Sequence, residues 1–215
     1  MKDIAIYGAG GFGRELACLL NSINKVEPTW NLVGFFDDNP DLKGQMISHF
    51  GVCLGGMDVL NAYPKELALV IPIGNSKVVK TLVGKITNRN VYYPNIIHPD
   101  VIFSDPETFR IGKGNILQTG CRFSTNISIG DFNIFNGEIA LGHDDSIGDF
   151  NTFMPDVRIS GAVEIGDENF FGVGSIILQT IKIGRGVRLG AGGVLMSNPS
   201  DGKLYVGIPA RKTEF

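Results

Sequence analysis

The chain has 215 residues, 29 of them glycine, and a formal net charge of −3 at pH 7. It has no block of basic residues, which argues against nucleic acid as a partner because phosphate binding needs clustered lysine and arginine. The first apolar run breaks at Gly8, too early for a signal peptide or a membrane span, and the three cysteines are far apart. We therefore expect a cytoplasmic protein with many tight turns and no membrane segment.

Strand and helix signals alternate in the first part of the chain. Apolar runs at 3–8, 31–38 and 67–74 predict strands, and the segments 14–23 and 77–86 predict helices. This alternation predicts an α/β, Rossmann-like domain with a parallel sheet over residues 1–95.

A glycine-rich loop follows the first predicted strand. Gly8, Gly10 and Gly13 satisfy the GxGxxG pattern, in which the backbone can approach phosphates at a helix N-terminus. Asp37 and Asp38 end the second strand, where an acid can bind a ribose hydroxyl. A dinucleotide dehydrogenase is the literal interpretation, but about 95 residues are too few for two mononucleotide halves. A nucleotide-sugar half-site fits the length better, and a purely structural turn remains the alternative.

The second part of the chain, residues 96–215, has a strict repeat in place of a helical period. The dipeptide Ile-Gly recurs every 18 residues, at 111, 129, 147, 165 and 183. Asparagine lies three residues after four of these glycines, and a weaker step of six subdivides each repeat. This pattern predicts an all-β solenoid whose coils are triangular, with three faces of six residues each.

His143 stands out among the three histidines because Asp144 and Asp145 follow it within one coil. Acyl transfer needs a base with a pKa near neutrality, and an adjacent carboxylate can orient such an imidazole. We expect His143 to be that base. The alternative is that it is a surface histidine without a catalytic role. No cluster of His, Cys and Asp has metal-ligand spacing, so no metal is expected.

Six motifs in order resemble the PglD/NeuD-type nucleotide-sugar acetyltransferases of the hexapeptide-repeat acyltransferase family: IYGAGGFGRE, FFDD, IPIGN, IIHP, LGHDDSIGDF and VGIPAR. The resemblance covers essentially the full length. It implies that the solenoid is a left-handed parallel β-helix. It also implies an acetyl-CoA-dependent enzyme that acetylates the amine of a UDP-4-amino-4,6-dideoxy sugar, as a homotrimer with active sites between subunits.

The same resemblance assigns roles to particular residues. His143 and Asp144 match the catalytic pair. The diphosphate would lie on Gly10, Gly11 and Gly13, the uracil or ribose would face Asp37 and Asp38, and the loop residues Gly74 and Asn75 would complete the substrate site. The residues assigned to acetyl-CoA are Asn136, Thr152 and Gly161. Thr152 departs from the family, because related enzymes often have a second histidine there.

Two other functions remain open at this point. The same His-Asp pair could serve O-acetylation of a sugar such as sialic acid, which would leave Asp37 and Asp38 without a nucleotide. The chain could also be a non-catalytic nucleotide-sugar-binding scaffold, for which Thr152 is the best support.

Overall fold

The computed structural model describes residues 1–213, which divide into two compact units, Met1–Pro99 and a second that begins at Asp100. The elements of the first unit are β1 Lys2–Tyr7, α1 Gly11–Val26, β2 Trp30–Phe36, β3 Met46–Ile47, β4 Gly51–Gly55, α2 Met57–Asn61, β5 Leu67–Val70, α3 Ser76–Lys85, β6 Val91–Tyr92 and β7 Ile96–Ile97.

The first unit is built on a six-stranded sheet with the order β3-β4-β2-β1-β5-β6. β1 lies in the middle and pairs in parallel with β2 and β5, while β3 pairs antiparallel with β4 at the edge. Ile4 and Ile6 of β1 are fully buried, as is Leu16 on the apolar side of α1. The central strands are apolar because helices and loops cover them.

The predicted strands and helices of the first unit are present, with different ends. The strand predicted over 67–74 stops at Val70, where its pairing with Ile6 of β1 ends. β3, β4 and α2 were not predicted, because elements of two to five residues are too short to show a period.

The second unit consists of short strands in chain order: β8 Ile102–Phe103, β9 Arg110–Ile111, β10 Ile116–Leu117, β11 Arg122–Phe123, β12 Ser128–Ile129, β13 Ile134–Phe135, β14 Ala140–Leu141, β15 Ser146–Ile147, β16 Thr152–Phe153, β17 Arg158–Ile159, β18 Glu164–Ile165, β19 Phe170–Phe171, β20 Ile176–Ile177, β21 Lys182–Ile183, β22 Arg188–Leu189, β23 Val194–Leu195, β24 Leu204–Val206 and β25 Arg211–Thr213.

From β8 to β23, every third strand of this unit belongs to the same sheet. One parallel face consists of β8, β11, β14, β17, β20 and β23, and a second of β9, β12, β15, β18 and β21. The third contains β10, β13, β16, β19 and β22, followed by β24. Partners in register lie 18 residues apart, as with Phe135 and Phe153. The predicted parallel β-helix is confirmed, with one coil for each 18-residue repeat.

The step of six is visible in the backbone. From Asn126 to Glu168 every sixth residue has a positive φ, between 55° and 66°. Such left-handed residues turn the chain sharply. They therefore form the three corners of each coil.

The repeated side chains stack from coil to coil in the interior. The rings of Phe135, Phe153 and Phe171 stack with centroids 4.7 and 4.9 Å apart. The asparagines three residues after the repeat glycines form a buried ladder, in which Oδ1 of each accepts hydrogen bonds from the backbone and side chain of the next: Asn115, Asn133, Asn151 and Asn169. In residues 1–213 no helix is long and apolar enough to cross a membrane.

Candidate active site

His143 and Asp144 lie at one corner of the β-helix, between β14 and β15. Asp144 is the left-handed corner residue, with φ 60°. Its backbone N–H donates to the carbonyl of Thr125 in the preceding coil (3.0 Å), and the carbonyl of His143 accepts from Ala162 N–H in the next coil (2.7 Å). The backbone under both side chains is therefore fixed from both neighbouring coils.

The two side chains form a hydrogen-bonded pair. Nδ1 of His143 lies 2.7 Å from Oδ2 of Asp144, and the side chains are 63% and 52% exposed. Hydrogen bonds from Asn126 and then from His143 hold the pKa of the Asp144 carboxyl below its usual value. An ionised carboxylate at Nδ1 makes that nitrogen the protonated one, which leaves Nε2 free to accept a proton.

Gly161 of the next coil lies against the His143 ring. A Cβ at this glycine would come within 2.5 Å of Nε2 and 2.7 Å of Cε1 of His143. Any side chain here would displace the imidazole. The structure thus brings together three of the predicted residues, His143, Asp144 and Gly161.

Asp145 is an acid that the sequence analysis noted beside His143, but its burial was not predicted. Its carboxyl is 1% exposed, Oδ1 accepts from Val163 N–H (2.9 Å), and Oδ2 has no hydrogen-bond partner among residues 1–213. Burial raises the pKa of this carboxyl to about 6. The repeat could have revealed its position, because residues 18 before and after it are aliphatic.

Asn136 and Thr152 lie on other parts of the coil. Asn136 follows β13 and precedes the corner at Glu138, and its amide contacts the sulfur of Met154 at 3.6 Å. Thr152 lies in β16, is 2% exposed and pairs with Ile134 and Phe170. Within one chain, neither residue is on the corner that holds His143.

The glycine loop joins β1 to α1 in the first unit. Gly8 has φ 117°, a backbone conformation that favours glycine, and a Cβ at Gly13 would collide with the carbonyl of Gly8. Gly10 and Gly11 are exposed, with nothing within 4 Å of a Cβ built at either. Gly8 and Gly13 therefore shape the turn, whereas Gly10 and Gly11 leave it open to a ligand.

The two acids after β2 bind groups of the protein itself. Asp37 accepts hydrogen bonds from Ala9 N–H and Asn39 N–H, both at 2.9 Å. Oδ1 of Asp38 accepts from the Tyr7 hydroxyl (2.7 Å) and from Met57 N–H (3.0 Å). Burial and the Asp38 contact raise the pKa of the Tyr7 hydroxyl, which stays protonated. These bonds tie the acids to the glycine loop and to the start of α2.

A groove of about 360 Å³ opens beside these acids. Sequence reasoning missed Lys43 and the loop before α2, because neither lies in a recognisable motif. The groove is lined by Asp37, Asp38, Asn39, Pro40, Lys43, Gly55, Gly56, Met57, Asp58 and Val59.

Gly74 and Asn75 lie after β5, ahead of α3. Gly74 is exposed, and Oδ1 of Asn75 caps α3 by accepting from Lys77 and Val78 N–H. The predicted cap is thus present. The loops after β1, β2 and β5 lie at the carboxyl edge of one parallel sheet, where ligands of such sheets bind.

No group of three or more His, Cys, Asp or Glu residues within 1–213 is arranged to hold a metal ion.

Two comparisons of the sequence with known proteins found matches. Residues 3–86 match the model of the PglD N-terminal domain. A GDP-perosamine N-acetyltransferase of Escherichia coli O157:H7 is 31% identical over 144 residues, which is 67% of this chain and 63% of that protein. The matched part is thus less than two thirds of that relative.

Solved structures match over the full length. The acetyltransferase domain of PglB from Neisseria gonorrhoeae FA1090, in complex with acetyl coenzyme A, is 27% identical with a TM-score of 0.87, covering 99% of both chains. PerB from Caulobacter crescentus, in complex with CoA and GDP-perosamine, is 25% identical with a TM-score of 0.82, covering 100% of this chain and 98% of that one.

The sheet-and-helix unit and the 18-residue coils define a two-part protein of the hexapeptide-repeat class. Within that class the chain is similar to the PglD-type group: residues 3–86 match the PglD N-terminal domain, and the full-length fold matches the PglB and PerB structures. The resemblance drawn from the six motifs is confirmed.

Proposed function

We propose that this protein is an acetyltransferase that transfers the acetyl group of acetyl-CoA to the amine of a nucleotide-linked amino sugar. The observation that supports this most directly is the His143–Asp144 pair, which leaves Nε2 as a base on an exposed corner. The relatives from E. coli and C. crescentus are named for, or hold, a GDP-linked amino sugar, and the N. gonorrhoeae domain holds acetyl coenzyme A.

In the proposed reaction the sugar amine attacks the thioester carbonyl, so that an N–C bond forms and the C–S bond breaks. Nε2 of His143 takes the proton that the amine loses, and this proton then passes to the departing CoA thiolate. The carboxylate of Asp144 stabilises the transient imidazolium. No covalent enzyme intermediate and no metal are needed.

The first unit would bind the nucleotide. The exposed backbone at Gly10 and Gly11 suits the diphosphate, and the groove beside Asp37 and Asp38 suits the nucleoside. Because both acids already accept hydrogen bonds from the protein, they would shape this groove and offer their remaining lone pairs to the ligand. Gly74 and Asn75 would border it from the loop after β5.

The active protein would be a homotrimer with sites between subunits. The support is that Asn136 and Thr152, assigned to the acetyl-CoA site with Gly161, lie away from the His143 corner of their own chain. A neighbouring β-helix could supply them to that corner.

The experiment that tests this function is a turnover assay with acetyl-CoA and 4-amino-4,6-dideoxy sugars linked to UDP or GDP. Acetylated product is measured by mass spectrometry, because the exposed Cys18 would interfere with thiol reagents. We expect turnover with at least one of these amino sugars. His143→Ala should lower kcat by about 10²- to 10⁴-fold, the usual contribution of a general base.

His49→Ala is the matched control, since His49 is an exposed histidine of the first unit. It should keep the wild-type kcat. Product formation on a sugar hydroxyl alone would favour O-acetylation, and a lack of turnover with every sugar would leave only the scaffold hypothesis.

A further inference from the structure

A chain of hydrogen bonds runs down the corner beneath the catalytic pair. Oδ2 of Asp144 pairs with His143, and Oδ1 accepts from the side-chain amide of Asn126 at 2.7 Å. Asn126 is the equivalent corner residue of the preceding coil, 18 residues earlier. The two oxygens of Asp144 therefore have separate partners.

Asn126 is itself held in place. Its backbone N–H donates to Oγ1 of Thr108, 2.7 Å away, and that hydroxyl donates to Oδ2 of Asp105 at 2.7 Å. The Thr125 hydroxyl donates to the same Asp105 oxygen, also at 2.7 Å. These two hydroxyls lower the pKa of the Asp105 carboxyl, which is thus an ionised anchor at the base of the chain.

The backbone at Asn126 favours its residue type. Its φ of 56° is left-handed, a conformation that asparagine tolerates better than most residues. Asparagine here both turns the corner and provides a donor for the next one.

We propose that Asn126 is a positioning residue for the catalytic pair. An exposed aspartate would otherwise sample several side-chain orientations. The Asn126 amide holds one oxygen of Asp144, so that the other faces Nδ1 of His143. The imidazole is thereby kept with Nδ1 protonated and with Nε2 beside Gly161. The catalytic meaning rests on the proposed acetyltransferase function, whereas the effect on the imidazole does not.

The test compares Asn126→Gly and Asn126→Asp with the wild-type protein. Glycine removes the amide and keeps the left-handed backbone, and aspartate keeps the size but puts a like charge beside Asp144. We expect kcat to fall about threefold to tenfold in Asn126→Gly, the effect of one hydrogen bond, and at least as far in Asn126→Asp. KM for both substrates should stay within about twofold, because Asn126 binds neither.

A second readout does not depend on turnover. The ¹⁵N chemical shifts of His143 report which ring nitrogen is protonated, and the chain has only three histidines to assign. Wild type should show mainly the Nδ1–H form, and both variants should lose that preference. Glu138→Gly is the control, because it also introduces glycine at an exposed left-handed corner, in another column of the β-helix.

The outcomes separate the two proposals. Wild-type kcat and tautomer in Asn126→Gly would overturn the positioning role. An equal loss in Glu138→Gly would overturn it too, by assigning the effect to corner geometry in general. If the wild-type protein acetylates no amino sugar, the acetyltransferase function fails, and the tautomer preference alone decides whether Asn126 orients His143.

Discussion

The imidazole of His143 occupies space that exists only because residue 161 is glycine. Gly161 does not have a positive φ, so alanine fits its backbone, but the new Cβ would lie 2.5 Å from Nε2. The exposed ring can swing away at little cost to folding. We therefore expect Gly161→Ala to lower kcat by about 10- to 100-fold through a displaced base, with a thermal midpoint within about 3 °C of wild type.

Gly84→Ala is the control for this prediction, since a Cβ there meets nothing within 4 Å and Gly84 lies in α3. It should keep kcat and raise stability slightly. Wild-type turnover by Gly161→Ala, measured by mass spectrometry, would show that His143 does not work from the position described.

The residues of this corner differ in how far the sequence predicts them. His143 and Asp144 form a recognisable pair in one coil, and Gly161 matched a family position. Asn126 escaped notice because it acts on Asp144 across a gap of 18 residues. The repeat contains that information, since it aligns each residue with the one above it, but the hydrogen bond depends on side-chain direction, which the repeat does not specify.

At the scale of the coil, each inward-facing position forms a column through the β-helix. The column that contains Asp145 otherwise holds Ile127, Val163 and Ile181, all at most 6% exposed. A carboxyl with one unpartnered oxygen is costly here, because charge is poorly solvated among aliphatic side chains. Asp145 therefore makes the stability of the β-helix depend on pH.

The direction of this dependence follows from the raised pKa of Asp145. Burial moves the carboxyl from a pKa of about 3.9 in the unfolded chain to about 6 in the fold. The folded state thus binds the proton more tightly, so the contribution of Asp145 to stability is full below about pH 4 and is lost as pH rises through about 6. Asp145→Asn cannot ionise. The difference in free energy of unfolding between this variant and wild type should therefore shift in favour of the variant by about 2–3 kcal/mol as pH rises from 4 to 8.

Urea unfolding followed by far-UV circular dichroism measures this change. Fluorescence would not, because the single tryptophan, Trp30, lies in β2 of the first unit. Glu138→Gln removes an exposed carboxyl and should show the wild-type pH dependence. The same pH dependence in Asp145→Asn as in wild type would contradict a raised pKa for the buried Asp145 carboxyl.

The elements themselves follow from the repeat to different degrees. The 18-residue step predicts the coils and the phenylalanine stack, because the same residue returns at the same place in each turn. The sequence does not explain why glycine is needed at the repeat positions, but the structure does: a Cβ at Gly130 would collide with the carboxylate of Asp149 in the next coil. β3 and β4 form a hairpin from segments too short to show a period, and were missed for that reason.

At the scale of the whole molecule, length and motif order together predict two parts, and the parallel sheet of the first is confirmed. The GxGxxG pattern alone suggested a dinucleotide site. The sheet has five parallel strands and one antiparallel edge strand, β3, so it lacks the six parallel strands of two mononucleotide halves, which is consistent with a single nucleotide site. Neither the length nor the motifs predict how many chains associate, because association depends on the outward-facing side chains of the coils, which the repeat does not specify.

Intersubunit complementation tests the proposed homotrimer. His143→Ala and Asn136→Ala should each be nearly inactive alone. If each site takes His143 from one chain and Asn136 from its neighbour, random mixed trimers would restore about a quarter of the sites. Coexpression with two different tags gives the mixed species, and sedimentation should give three times the chain mass of 23.2 kDa.

The matched control combines His143→Ala with Asp144→Ala. These two residues share one corner of one chain, so no mixed site can contain both wild-type side chains. Activity should therefore not recover, although the trimers mix equally well. Recovery in this control would mean that His143 and Asp144 act from different chains, which would contradict the pair described here. Failure of the His143–Asn136 pair to recover would mean that each chain builds its site alone. Only recovery confined to the His143–Asn136 pair fits a base on one β-helix and an acyl-donor site on the next.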